Sequence, residues 1–105
     1  MEEAYYTHAR WRVKPGREEE FVEAWRVLAS FYASEPNAIG HGTLIRSLDD
    51  PSVFYAFGPW RTIEDIDAAS GGPHSQESLS RLRDLCDEHS GGTYEVIAQV
   101  YPESR

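Results

Sequence analysis

The residues able to do chemistry here are four histidines, one cysteine and an unusually large set of aromatics: three Trp, six Tyr and four Phe. His74 follows Gly71-Gly72-Pro73, a stretch that reads as a mobile loop at the mouth of a pocket. An imidazole there could accept a proton from a phenol or orient an anionic intermediate. The plainer reading is a surface histidine with no role. Trp60 closes a strand just before a helix cap, so it is either a stacking wall for a flat substrate or a clamp at the strand–helix junction. Phe57, Tyr55, Trp11 and Trp25 are the other aromatics expected to bind a substrate. Tyr5, Tyr6, Tyr94 and Tyr101 each offer a hydroxyl, although alternating tyrosines in strands more often serve a core or an interface. His8, Arg10, Arg12 and Lys14 share one parity and form a basic stripe. It suits an anionic ligand or, more simply, neutralisation by Glu95 or a partner chain's acid. Cys86 continues an apolar helical stripe and reads as a buried, inert thiol. His89 reads as a helix C-terminal residue answering the dipole, and His41 as a loop–strand junction residue. No metal-ligand spacing stands out, nor a phosphate-cradling glycine motif, and no cofactor is expected.

These groups are carried by a legible series of elements. Residues 4–14 alternate between two faces and predict a strand ended by Pro15-Gly16. Residues 17–34 predict a helix, with Phe21, Trp25, Leu28 and Tyr32 at helical spacing and three glutamates in the first turn. Residues 41–48 and 52–60 predict a hairpin around Asp49-Asp50-Pro51. Thr62-Ile63-Glu64-Asp65 resembles a capping box and opens a short helix to about residue 70. Residues 75–89 predict a further helix ended by Gly91-Gly92, and residues 93–101 a last strand. The order strand, helix, hairpin, helices, strand predicts an α+β, ferredoxin-like βαββαβ plait with a four-stranded antiparallel sheet.

The chain's 105 residues suit one domain, 1–105. Its formal charge of −8 opposes binding to nucleic acid and to anionic membrane surfaces. No apolar run reaches membrane-spanning length, and Met1-Glu2-Glu3 has the wrong charge for a signal peptide. A cytoplasmic acidic domain is expected. In the third strand both parities are apolar or aromatic, with Phe54, Ala56 and Trp60 on one and Val53, Tyr55 and Phe57 on the other. Helices cover only one sheet face, so the second should be covered by another copy about a two-fold axis.

The run Arg10-Trp11-Arg12-Val13-Lys14-Pro15-Gly16 entering the first helix, together with Asp50-Pro51-Ser52-Val53-Phe54 and Phe57-Gly58-Pro59-Trp60-Arg61-Thr62-Ile63-Glu64-Asp65, resembles the antibiotic biosynthesis monooxygenase family. The resemblance implies a homodimeric α+β barrel with a pocket between sheet and helices in each subunit. Characterised relatives include oxygenases that act on phenolic polyketides, anthrones or quinols without metal or flavin. Others degrade haem, using a strand Asn, a helical Trp and a His. Here the first two positions fall on Ala9 (or His8) and near Ala69, so two of those three features are missing.

Two functions follow. One is a cofactor-independent monooxygenase that takes a small aromatic phenol or quinol, with His74 as base or hydrogen-bond partner and Trp60 as wall. The other is a non-catalytic small-molecule-binding or accessory protein of the same fold. An open apolar cavity reaching His74 favours the first, whereas aromatics filling that space remove its site.

Overall fold

The computed structural model describes residues 3–103. The order is β1 (Tyr5–Val13), α1 (Glu18–Ala33), β2 (Thr43–Arg46), β3 (Val53–Trp60), α2 (Ile63–Ser70), α3 (Pro73–Asp84) and β4 (Cys86–Glu95). The strands form one sheet in the order β2-β3-β1-β4, every pair antiparallel, which is the expected ferredoxin-like plait.

The alternation of β1 sets the two faces. Tyr5, Thr7, Ala9, Trp11 and Val13 turn towards the helices. Trp11 and Val13 join Phe21, Ala24, Leu28, Phe54, Leu82, Leu85 and Cys86 in the main core. A smaller cluster of Trp60, Ile66 and Ala69 sits at the other end of the β1–β3 ladder, packed against Tyr5 and Tyr32. The opposite parity, Tyr6, His8, Arg10 and Arg12, faces away from the helices beside Tyr55 and Phe57 of β3. Pro59 is tolerated inside β3 because β2 pairs only as far as Phe57, leaving no partner on that side to need its missing N–H.

α2 starts as its sequence predicts. Thr62 Oγ1 accepts from the Asp65 N–H at 3.0 Å. The return half of the box is diverted: Asp65 Oδ1 instead accepts from Asn37 Nδ2 at 3.1 Å, tying the segment after α1 to α2.

The last third of the chain corrects the sequence reading. The final helix ends at Asp84, and β4 begins at Cys86 after a single capping residue, Leu85. Gly91-Gly92 therefore ends no helix; these residues lie within β4, opposite Ala9 and His8. A Cβ at Gly91 would come within 2.9 Å of the His8 carbonyl oxygen, so the close approach of the two backbones requires glycine there. His89 is likewise a strand residue, paired with Trp11. Asp87 is the extra residue of a bulge between the Val13–Cys86 and Arg12–Glu88 pairs. This register also corrects the acid expected to meet the basic stripe. Glu95 pairs with Tyr5, while Glu88 approaches Arg10 at 3.6 Å and Arg12 at 3.4 Å. Asp50 takes the other side of the Arg12 guanidinium at 2.8 Å.

Candidate functional site

The helix-facing side of the sheet carries small residues where a solid core would need large ones. Thr7 and Ala9 on β1 and Ala56 and Gly58 on β3 lie side by side, two register pairs deep. Above them α1 contributes Trp25, Leu28, Ala29 and Tyr32, and the result is a cavity of about 200 Å³ between sheet and helices. Trp11 and Trp60 wall it from the sheet, Ile66 and Leu79 from α2 and α3, and residues 38–42 form its rim. Among the described residues no Asp, Glu, Lys or Arg lines it. The site is uncharged and predominantly apolar, the usual character of a small-molecule pocket.

The rim depends on one glycine, and a second packs against the cavity wall. Gly40 has φ +58°, and a Cβ there would meet the Pro59 ring at 2.8 Å. Gly42 lies against the Trp25 indole, where an added Cβ would sit 3.7 Å from the ring. The rim thus folds close over β3 and brings His41 to the cavity.

Trp60 clamps the strand–helix junction and also borders the cavity. Its Nε1 donates to Thr7 Oγ1 at 3.0 Å, and its ring packs edge-on to Tyr32 at 5.8 Å, which fixes the junction while presenting an aromatic wall. Burial pushes the Tyr32 hydroxyl pKa up, so Tyr32 stays a neutral donor over the physiological range. Asp50 lies at the far end of β3. Hydrogen bonds from Ser52, with the Arg12 guanidinium beside it, hold its carboxyl at about 2. Burial pushes the Cys86 thiol up to about 11, consistent with an inert cysteine.

Of the residues singled out from sequence, Trp11, Trp25, Trp60 and Phe57 border the cavity, Phe57 from a strand position whose parity, like that of Tyr55, is the uncovered face's. Tyr55 lies on the opposite face, its ring 5.6 Å from His8. His74 is outside the cavity wall. Gly72 caps α3 and Pro73 is its first residue, so His74 is a first-turn helical residue rather than part of a mobile loop. It is exposed and stacks on Phe31 at 5.2 Å. Sequence reasoning missed Tyr32 and His41 as site residues. Tyr32 was legible only as part of an amphipathic stripe. For His41, the single signal was its place between two glycines. Among the described residues there is no cluster of three or more potential metal ligands, and no helix is long and apolar enough to cross a membrane.

A four-stranded plait with an uncharged cavity held under its helices defines the class: an α+β domain built around an internal pocket. The sequence profile described as antibiotic biosynthesis monooxygenase matches residues 4–80, and the chain belongs to that family. No curated protein sequence matches it. Among solved structures it is similar to SnoaB, a cofactor-independent oxygenase from Streptomyces nogalater, with 24% identity, a TM-score of 0.85 and coverage of 96% of this chain and 99% of that one. A conserved protein from Methanosarcina mazei Go1 shares 21% identity at a TM-score of 0.80, over 90% of this chain and 93% of the other. A protein from Nitrosomonas europaea, described as a candidate antibiotic biosynthesis monooxygenase, shares 25% identity at a TM-score of 0.77, over 90% and 99%.

Proposed function

We propose that this chain is a monooxygenase that takes a small aromatic phenol or quinol into the cavity between sheet and helices and oxidises it without metal or flavin. The observation that carries the reading is the cavity itself, which is uncharged, flat-walled by three indoles and bordered by one rim imidazole. The family match and the likeness to an oxygenase described as cofactor-independent support it.

The chemistry needs little from the protein. A phenolate or quinol anion is electron-rich enough to pass an electron to O2. For a phenol going to a quinone, one oxygen atom of O2 becomes the new ring carbonyl. The other leaves as water with the hydroxyl and ring hydrogens, and the ring supplies the four electrons. The protein has to orient the ring, exclude water and take up the phenolic proton. In this reading Trp25 and Trp60 stack on the ring, Tyr32 donates to a developing oxyanion and His41 accepts the proton. The base assigned from sequence, His74, gives way to His41 because His74 is not among the residues bordering the cavity, and of the two histidines that are, His8 belongs to the strand parity of the uncovered face.

Two copies pair through the open sheet face in this reading. Tyr55, Phe57 and Ile45 lie on that face, Tyr94 is 54% exposed, and the following segment leaves Ile97 and Val100 83% and 95% exposed. Apolar surface of this kind is the expected mark of an interface.

Oxygen uptake with a panel of anthrones and quinols tests the function. Wild type should consume O2 with at least one of them, His41→Ala should slow it about 100-fold, and His74→Ala should leave it unchanged. No uptake across the panel overturns the oxygenase reading. Binding without uptake leaves a small-molecule-binding protein. Loss in His74→Ala but not in His41→Ala returns the base to His74.

A further inference from the structure

A second hollow, a groove of about 320 Å³, opens at the β2 edge of the fold. α1 overhangs it with Val22, Trp25 and Arg26, β2 contributes residues 44–46, and the buried Phe54 comes from β3. Leu44 and Arg46 pair with Ala56 and Phe54, which pair in turn with Ala9 and Trp11. Apart from Ile45, the groove therefore belongs to the helix-covered side of the sheet and not to the open face on which a second copy is proposed to sit.

Its charge is unlike that of the rest of the chain. The protein carries −8 overall, and acids hold most of the arginines that the structure pairs: Glu88 and Asp50 on the β1 stripe, Glu20 on Arg17 and Arg81. The groove is bordered by two arginines and by no Asp or Glu. Among the described residues Arg46 has no ion pair. Its guanidinium carbon lies 5.6 Å from the centroid of the Phe54 ring instead, a contact that keeps the cation over buried aromatic surface. Arg26 has Glu23 at 3.4 Å, with both side chains 70% exposed. Such a pair contributes little, and another carboxylate can take its place.

We propose that this groove is a second binding site, which takes a small organic anion: a carboxylate held by Arg46 and Arg26 on a flat apolar body that lies against Trp25, Leu44 and Phe54. A guanidinium fork matches a carboxylate in shape as well as charge, and the apolar walls supply the burial that an exposed ion pair lacks. The volume is that of a small-molecule pocket. The cavity is the opposite case. No cation borders it, so a carboxylate entering there would lose its hydration without compensation. The two hollows thus sort ligands by charge, and Trp25 borders both.

The test compares β-naphthoate with β-naphthylmethanol, which share a ring system and differ in charge. Each is titrated into isotope-labelled protein, and the backbone amide and indole N–H signals are followed by NMR. β-Naphthoate should move the signals of Val22, Arg26, Leu44, Arg46 and the Trp25 indole, with an affinity about 5-fold above that of the alcohol. Arg46→Gln should remove this margin. If that variant disturbs the packing of Phe54, Arg26→Gln, at a more exposed position, decides in its place. Equal affinity for the two probes overturns the proposal. So do shifts confined to cavity residues such as Ala9, Ala56 and Gly58, a margin that survives the deciding substitution, and no response to β-naphthoate up to its solubility. No arm depends on turnover, so failed oxygen uptake would sink the oxygenase reading and leave this result standing.

Discussion

The sheet's two faces are made by the same strands and built on opposite plans. The helix-covered face alternates small residues with tryptophans: Thr7, Ala9, Ala56 and Gly58 against Trp11 and Trp60. The small side chains leave a volume and the indoles wall it. On β1 and β3 the uncovered face carries large side chains instead, with Tyr6, His8, Arg10 and Arg12 beside Tyr55 and Phe57. Its rings interact laterally, with His8 lying 5.6 Å from Tyr55 and 6.0 Å from Tyr94. Its guanidinium groups are held by Glu88 and Asp50. A void is therefore found where cover is complete, and bulk where cover is missing. The aromatic excess divides accordingly between lining a cavity and standing on the uncovered face.

That contrast can be broken most severely from the covered side. Phe21 is fully buried between Trp11 and Phe54. Phe21→Ala should cost ~3–5 kcal/mol in urea unfolding; a loss no larger than a surface substitution would mean that the main core does not depend on this face. On the open side, Tyr55→Asp should spare the fold of each chain but break the pairing. Sedimentation should then show a monomer where wild type runs as a dimer, and a wild type already monomeric at micromolar concentration removes the pairing altogether. The smallest effect concerns Asp50, which anchors the open face's Arg12. Its carboxyl titrates at about 2 when folded, against an ordinary 3.8. Its stabilising contribution is thus whole above about pH 4 and fades as pH falls through about 2. The stability gap between wild type and Asp50→Asn should narrow over that window, and a gap constant with pH would assign Asp50 a purely steric role.

Much of this was legible in the sequence where the signals were local. The alternation of β1, the 3.6-residue spacing of α1, the Asp-Asp-Pro turn and the Thr62 cap each depend on residues a few positions apart, and each formed as read. β4 was displaced by several residues. Its first seven positions, Cys86 to Gly92, hold no β-branched residue and end in two glycines, which imitates a helix stop. What makes it a strand is pairing with β1, some eighty residues away, and Gly91 is there to permit that approach. His74 was misread for a related reason: Gly71-Gly72-Pro73 looks like slack chain, but it closes one helix and starts the next. The rim was the least legible part, because His41 reaches the cavity only through the left-handed turn at Gly40 and its contact with Pro59. The three tryptophans, read from their ring area as pocket residues, do border the cavity.

The one-residue joint between α3 and β4 bears on how the two faces communicate. A connecting loop acts as slack and absorbs small displacements of the elements it joins. Here Leu85 alone separates helix from strand, and its carbonyl accepts from the Lys14 N–H at 2.9 Å, which clamps the joint to the end of β1. α3 borders the cavity through Leu79, and β4 borders the open face through Glu88 and Tyr94. A shift of α3 that widened or narrowed the cavity would thus meet no slack before β4 and the uncovered face it borders.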